Sequence, residues 1–248
     1  MTLLDFLQHH PSVALAFSGG VDSAYLLYAA INAGARLKAY YVKTSFQPES
    51  ELEDAKRLAQ YLGAEMEILR AEPLEESSIA SNPKDRCYHC KKAIFSIILE
   101  AARRDGFEII LDGTNASDDA FDRPGMRALE EMRVLSPLRL CGLTKAQIRA
   151  LSKEAGLFTW DKPAYACLAT RVPTGTAITR QILTATETAE AALVKLGFRD
   201  FRVRYMNGAA KLQLTKAQLP LALEKRQEIL VALKPWYTAV LLDLEERL

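Results

Sequence analysis

No apolar run in the 248 residues approaches the roughly 20 needed to cross a bilayer, so no membrane span is expected. The opening MTLLDFLQHHPS lacks a basic segment followed by a long apolar core. A secretory leader is therefore not expected, and the reading is cytoplasmic. A dominant charge is missing too. The 32 Lys and Arg against 31 Asp and Glu leave a net charge of +1, so no overall field favours nucleic acid or an anionic surface, although local basic patches remain open. Internal repeats and low-complexity tracts are absent. Cysteine is scarce, with Cys87, Cys90, Cys141 and Cys167 making four. In a reducing compartment the closely spaced pair points to metal or redox chemistry rather than a structural disulfide.

What is present is alternation. VALAF (13–17) reads as a strand, Ser23 to Ala33 as a helix stopped by Gly34, and Leu37 to Val42 as a second strand. Ser50 to Leu62 is the next helix, ended by Gly63, and Glu65 to Leu69 the third strand. Lys91 to Arg104 is a helix closed by Gly106, with a fourth strand at Glu108 to Leu111 and a helix from Thr144 to Ala155. Strand and helix in turn predict an α/β fold, a parallel sheet with helices on both faces. Binding is then expected at the carboxyl ends of the strands.

Residues 157–178 are rich in Pro, Gly, Thr and Ala and read as a loop or linker. Beyond it lie a helix (Arg180 to Leu196), two strands flanking the turn signal Asn207-Gly208, a helix (Leu219 to Leu233) and a last strand (Tyr237 to Leu242). The expected division is 1–175 for the α/β domain and 176–248 for a smaller C-terminal α+β domain.

The stretch FSGGVDS (17–23) stands where the first strand turns into a helix. Glycines there let backbone N–H groups approach phosphate oxygens, the serines add donors, and the helix start adds partial positive charge. The Lys-Ser/Thr of a Walker loop is missing. The plainer alternative is an Asp/Ser cap after a tight turn. SGGVDS resembles the PP-loop of the ATP pyrophosphatase superfamily, whose members (the adenine nucleotide alpha hydrolase-like fold) split ATP into AMP and pyrophosphate to activate an oxygen by adenylation. That resemblance implies Ser18, Gly19, Gly20, Asp22 and Ser23 around the pyrophosphate, with Mg²⁺ neutralising charge.

Four further stretches narrow the resemblance: NPKDRCYHCKK (82–92), DGTNASDDAFDRPGMRAL (112–129), SPLRLCGLTKAQIR (136–149) and WDKPAYACLATRVPTG (160–175). Together they resemble the ATP-dependent sulfur transferases that complete the nickel-pincer nucleotide cofactor of lactate racemase. The likeness runs from residue 13 to about 175 and more loosely to the end. It implies adenylation of a carboxylate of pyridinium-3,5-biscarboxylic acid mononucleotide, then replacement of AMP by sulfur. Cys167, in ACLATR, matches the sulfur-bearing cysteine, which in some members gives up its own sulfur and becomes dehydroalanine. The additional Cys87 and Cys90 imply a [4Fe-4S] cluster on Cys87, Cys90 and Cys167, with one iron open to carry a sulfide. Structural zinc, with His89 nearby, and a redox disulfide are the alternatives. Cys141 reads as a small core residue.

The resemblance also implies that Gly113, Asn115 and Arg171 hold the nucleotide. Asp112, Asn115, Asp118 and Asp119 cluster past the fourth strand, where carboxylates would hold Mg²⁺ or nucleotide; an Asx-rich loop capping the next helix is the alternative. Arg123 and Arg171 would steady phosphate or developing negative charge, or be ordinary surface arginines. In the second domain GFRDFRVRY matches the family strand whose arginines, here Arg202 and Arg204, bind the substrate phosphate. Spaced by two, they share a strand face; a merely solvated face is the alternative. Glu190 matches an acid near the reaction centre, with a helix-surface glutamate as the alternative. The sequence departs from the family at Tyr205-Met206-Asn207-Gly208 and Ala210-Lys211-Leu212-Gln213, where His-Gly and Ala-Arg-Ile-Glu are usual. Relatives form symmetric oligomers, so a homo-oligomer is expected; no nucleic-acid partner is. The alternatives carried forward are a PP-loop tRNA thiolase, an amidotransferase synthetase, and a non-enzymatic metal- or nucleotide-binding module.

Overall fold

The structure, a computed structural model, describes residues 1–118 and 124–247. In chain order its helices and strands are α1 Leu3–His9, β1 Ser12–Ala16, α2 Val21–Asn32, β2 Arg36–Lys43, α3 Glu49–Tyr61, β3 Met66–Arg70, α4 Ser77–Ala80, α5 Arg86–Arg104, β4 Ile110–Leu111, α6 Pro124–Glu131, α7 Pro137–Leu140, α8 Lys145–Glu154, α9 Arg180–Lys195, β5 Arg202–Met206, β6 Ala209–Gln213, α10 Leu219–Glu224, α11 Arg226–Leu233 and β7 Val240–Leu242. None of the described helices is long and apolar enough to cross a membrane. Two compact units result: 1–73 with 85–162, and 74–84 with 163–248. Residues 163–175, read from the sequence with the first domain, pack within the second unit, as do 74–84.

The first unit is a parallel sheet in the order β3-β2-β1-β4. Its two faces follow from the period-two alternation of strand side chains. Val13, Leu15, Ala39 and Tyr41 join one buried cluster with α1, α2, α3 and Ile148 of α8. Ala14, Tyr40 and Val42, their immediate neighbours, join the other with Phe95, Ile98 and Leu129 of α5 and α6. Both faces are therefore covered, which is why the strands read as nearly continuous apolar runs. The chain winds outward from β1 through β2 to β3, then returns to place β4 on the opposite side of β1. That reversal opens a crevice beyond the carboxyl ends of β1 and β4, the favoured ligand position in such sheets.

In the second unit, β5 and β6 form an antiparallel hairpin and β7 pairs parallel to β6. The hairpin turns at Asn207 (φ 48°) and Gly208 (φ 86°), both left-handed as a tight hairpin of this type requires. Helices α9 and α11 cover one face through Ala189, Leu193, Ile229 and Leu233. The detached segment 74–84 is stitched to the loop beyond Arg171. Asn82 Nδ2 donates to Pro173 O at 2.8 Å, Gly175 N to Asn82 O at 2.8 Å, and Ile178 N to Ala80 O at 2.7 Å.

Several elements differ from the sequence reading, which gave no helix at 3–9, 77–80 or 137–140 and began the last strand at Tyr237 rather than Val240. Helix α5 begins at Arg86 rather than Lys91, so the CxxC pair lies inside it. The single helix expected over 219–233 is two, divided at Lys225. Residues 168–171, within the expected loop, form a short 3-10 helix.

Candidate active site

The turn after β1 closes on itself through its two serines. Ser18 Oγ lies 3.0 Å from Ser23 Oγ, Ser18 N donates to Ser23 Oγ at 3.3 Å, and Ser23 Oγ donates to Gly20 O at 3.2 Å. Gly20 is the N-cap of α2, whose first turn carries Asp22. Two glycines are required by space. Gly19 has φ +75°, and a Cβ there would stand 3.0 Å from the Cβ of Ala55 on α3. A Cβ on Gly113 would stand 2.9 Å from Ser23 N, so the loop after β4 can reach the serine loop only as glycine.

That second loop is held by its own polar groups. Asp112, buried, accepts from Thr114 Oγ1 at 2.5 Å and from Ser136 Oγ at 2.6 Å. Asn115 Oδ1 accepts from Ser117 N at 2.8 Å, and Asp118 accepts from Asn115 N at 3.1 Å. The expected Asx-rich turn is thus present. It also faces the serine loop, because Asn115 Nδ2 donates to Asp22 Oδ1 at 3.4 Å. The other Asp22 oxygen meets Lys145 Nζ, at the start of α8, at 2.5 Å. Burial pushes the Asp22 carboxyl above its ordinary pKa, the Asp118 charge adds to that rise, and the Lys145 ammonium opposes it. Asp119 and Arg123 lie outside the described residues.

Between the two loops opens a cavity of about 330 Å³, lined by Ser18, Asp22, Ser23, Asp112, Gly113, Thr114 and Asp118 on its polar side. The apolar wall is supplied by Phe17, Tyr40, Val42, Ile94, Phe95 and Ile98, and Gln47 and Lys91 add polar groups. An apolar slot ending in N–H groups and hydroxyls suits an aromatic base joined to phosphates. The carboxylates of Asp22 and Asp118 are hard oxygen donors and fit Mg²⁺.

Cys87 and Cys90 lie within the first two turns of α5, three residues apart and so on one face of the helix. Cys87 is exposed and Cys90 half-buried. The turn is fixed by Tyr88, whose hydroxyl donates to Glu131 at 2.7 Å and whose ring carries the Arg127 guanidinium 4.0 Å from its centre. His89 faces Asp85 at 3.2 Å. Among the described residues no three His, Cys, Asp or Glu side chains are gathered as a metal ion would require. Two thiolates on one helical face are nevertheless soft donors of the type iron–sulfur clusters take, so the pair fits the group. Cys141 is half-buried against the core at α1 and α7, and burial raises its thiol pKa.

In the second unit the loop bearing Cys167 is gripped by three guanidinium groups. Arg171 Nη1 donates to Ala166 O at 2.7 Å and to Cys167 O at 3.4 Å. Arg202 donates to Ala164 O, and Arg204 to Thr170 O. Arg171 is completely buried, so it is no surface arginine. Its Nε and Nη2 meet the two Glu190 oxygens at 2.8 and 3.0 Å. Glu190 is buried as well, and it also accepts from Val203 N at 3.0 Å and from Tyr165 OH at 2.7 Å. Both carboxylate oxygens are therefore engaged. Arg202 and Arg204 share a face of β5, and that face is packed rather than solvated. Burial, then the neighbouring Arg171 and Arg247 charges, push the Arg202 pKa down to about 10; the same causes lower that of Arg204.

Ser18, Asp22, Ser23, Gly113 and Asp118 thus line one cavity within the first unit; Gly19 and Gly20 lie in the same serine loop, and Asn115 reaches the site through its bond to Asp22. Cys167, Arg171, Glu190, Arg202 and Arg204 come together in the second. Two residues escaped the sequence reading. Tyr165 is the second residue before Cys167, and Lys145 follows Thr144, whose capping box with Gln147 starts α8. The capping pattern TKAQ was a legible sign that Lys145 begins a helix.

A strand–SGGxDS–helix turn over a parallel sheet, with its cavity at the strand ends, defines a PP-loop nucleotide-binding protein. Residues 12–91 match the family model described as queuosine biosynthesis protein QueC. The chain is 32% identical over 220 residues to pyridinium-3,5-bisthiocarboxylic acid mononucleotide synthase of Lactiplantibacillus plantarum, covering 88% of this chain and 80% of that one. It is 35% identical over 208 residues to an uncharacterized protein of Synechocystis, covering 83% and 77%. To tRNA-specific 2-thiouridylase MnmA of Thermotoga petrophila it is 25% identical, over 60% of this chain and 54% of that one. The protein belongs to the family of the pyridinium-3,5-bisthiocarboxylic acid mononucleotide synthase.

Proposed function

We propose that the protein is an AMP-forming, ATP-dependent sulfurtransferase acting on pyridinium-3,5-biscarboxylic acid mononucleotide, and that its thiocarboxylate products serve the nickel-pincer cofactor of lactate racemase. The observation that carries this reading is the pairing, in one chain of this family, of a PP-loop cavity with a tightly held cysteine loop. A substrate carboxylate oxygen attacks the α-phosphorus of ATP and pyrophosphate leaves. Sulfur then attacks the acyl carbon, and AMP departs with the original oxygen. With Cys167 as donor, the resulting thioester loses the cysteine Cα proton and its Cβ–S bond breaks, leaving dehydroalanine and the thiocarboxylate. Atoms and electrons balance without a further reagent.

The chain's own residues divide this work. Ser18, Gly19, Gly20 and Ser23 present donors to the phosphates, while Gly113 and Asn115 close the nucleotide end. Asp22 and Asp118 would hold Mg²⁺, which screens phosphate charge. Cys87, Cys90 and Cys167 would hold a [4Fe-4S] cluster, which supplies a bound sulfide in place of the Cys167 sulfur. Arg202 and Arg204 keep N–H groups beyond those given to the cysteine loop, and these suit the substrate phosphate. Glu190 acts by holding Arg171 and the start of β5. A cytoplasmic homo-oligomer acting on a small molecule completes the proposal. The partial likeness to a tRNA 2-thiouridylase supports a second reading, sulfur transfer to tRNA.

The test is anaerobic incubation with ATP, Mg²⁺ and the biscarboxylic acid mononucleotide. Release of AMP and pyrophosphate with replacement of one substrate oxygen by sulfur, read by mass spectrometry, is the expected result. Activity on tRNA alone, falling steeply with salt, would transfer the assignment to the second reading.

A further inference from the structure

The cavity has a stretch of wall that neither the serine loop nor the loop after β4 supplies. It comes from the turn after β2, residues 44–47, which brings Gln47 onto the lining with Tyr41 and Val42. The sheet order β3-β2-β1-β4 sets β2 on the opposite side of β1 from β4, so this turn lies toward the base end of the slot. Gln47 is held in one orientation. Its Oε1 accepts from Thr44 N at 3.1 Å and from Thr44 Oγ1 at 2.5 Å. A backbone N–H can only donate, so the amide oxygen is the atom that faces Thr44 and the NH₂ is turned away from it. The turn itself is tied down: Phe46 N donates to Thr44 Oγ1 at 3.0 Å, Lys43 Nζ to Gln47 O at 2.6 Å, and Ser45 Oγ to Glu72 at 2.7 Å. Thr44 and Phe46 are buried, and Gln47 is half-buried. No described residue accepts a hydrogen bond from Gln47 Nε2. A donor fixed in direction on a cavity wall is thus left for an acceptor that a ligand brings.

We propose that Gln47 is a base-reading residue, whose Nε2 donates to a ring nitrogen of adenine and so helps select the nucleotide that enters. The inference rests on the ATP-dependent reading above and adds a specificity-determining residue to that site. The chemistry of the wall agrees with it. Tyr40, Val42, Phe95 and Ile98 suit the faces of a purine ring, and the ring nitrogens carry lone pairs in its plane. The amide is neutral, so it does not draw the phosphates to the base end as a cation there would. With its oxygen engaged by Thr44 it offers N–H alone, and a base position bearing its own N–H is refused. The competing account is local: Gln47 only closes the turn after β2.

Removing single ring nitrogens from the ligand separates the two. Binding of ATP and of its 1-deaza, 3-deaza and 7-deaza analogues, each with one ring nitrogen replaced by C–H, is measured with Mg²⁺ by calorimetry. The full chain is used as wild type, Gln47→Glu and Gln47→Ala, with thermal melting alongside. In wild type one of the three analogues is expected to bind about tenfold more weakly than ATP, because a C–H then faces the amide. Gln47→Glu keeps an oxygen toward Thr44 and puts a second oxygen where the NH₂ stood. In that variant and in Gln47→Ala the penalty should fall to within about twofold. Comparing each analogue with ATP on the same variant cancels any general loss of affinity, including repulsion of the phosphates by the new carboxylate. Three analogues bound as tightly as ATP by wild type, or a penalty that persists unchanged in both variants, would overturn the proposal and leave Gln47 a turn residue. A wild-type chain that binds neither ATP nor AMP would instead remove the ATP-dependent reading itself, and this inference with it.

Discussion

Arg171 and Glu190 form a bidentate ion pair, 2.8 and 3.0 Å long, with the Arg171 side chain wholly out of solvent and that of Glu190 nearly so. Removing one member of such a pair strands the other charge. Glu190→Ala is therefore expected to destabilise the second unit by about 3–5 kcal/mol, with Glu190→Gln milder because it keeps hydrogen bonds to Arg171. Urea unfolding checks this. The cavity residues all belong to the first unit, so ATP affinity measured below the transition should survive. Equal stability with lost catalysis would make Glu190 a participant in the chemistry.

Tyr165 couples this pair to the cysteine. Its hydroxyl donates to Glu190, and its ring lies 4.6 Å from the Arg171 guanidinium and 5.5 Å from that of Arg202. Burial and the Glu190 charge raise the phenol well above its ordinary pKa, so it stays a donor at neutral pH. Tyr165→Phe keeps the ring and removes one hydrogen bond to a charged group, worth about 1.5–3 kcal/mol. Pyrophosphate release is expected to continue at near the wild-type rate while thiocarboxylate formation falls about tenfold, for every 1.4 kcal/mol lost in positioning. Measuring both products in one reaction separates the steps.

The serine loop depends on what is missing at two positions. Gly19→Ala combines a left-handed backbone (φ +75°) with a Cβ 3.0 Å from Ala55. Gly113→Ala meets the backbone of Ser23 at 2.9 Å, which cannot swing aside as a side-chain tip would. Each is expected to cost about 1–3 kcal/mol and to weaken ATP more than general stability suggests, because the strain falls on the phosphate loop. Isothermal titration with ATP and a parallel melt decide it.

Asp105 gathers Arg104 at 2.9 Å, Lys38 at 2.5 Å and the Tyr40 hydroxyl at 2.8 Å. These hold its carboxyl well below the ordinary 3.8, with Arg104 the largest cause. A depressed acid stabilises the fold above its unfolded pKa and loses that contribution as pH falls toward the folded value. The stability gap between wild type and Asp105→Asn should be steady near neutrality and shrink as pH drops below 3.8. A gap that grows on acidification would refute the assignment.

Much of this was legible in the residue string because local and global signals agree. Helix stops at Gly34 (φ +73°) and Gly63 (φ +63°) fall where glycine punctuation put them, and apolar runs with serine and glycine at their ends became β1 and its loop. The start of α5 was not legible: RCYHCK carries no cap signal, Asp85 makes no capping bond through its side chain, and the tertiary grip of Tyr88 on Glu131 secures the turn. Nor could spacing show that Arg202 and Arg204 face the cysteine loop. Period two gives a shared face, but what covers that face is a matter of packing. Lys145 and Asp22 are 123 positions apart, and no local pattern joins them.

Cys87 tests the cluster with little risk to the fold. It is exposed on the first turn of α5, while the turn itself is held by Tyr88, Glu131 and Arg127. Cys87→Ala should therefore alter stability by no more than about 0.5 kcal/mol. Iron and acid-labile sulfide, assayed after strictly anaerobic purification, are expected near one cluster per chain in wild type and lost in Cys87→Ala. Pyrophosphate release should persist in the variant, because the adenylating residues lie on other loops, and sulfur transfer should drop to the single event that the Cys167 sulfur can supply. A wild-type chain without iron even after reconstitution returns the sulfur to Cys167 alone, and zinc in place of iron makes the pair on α5 structural.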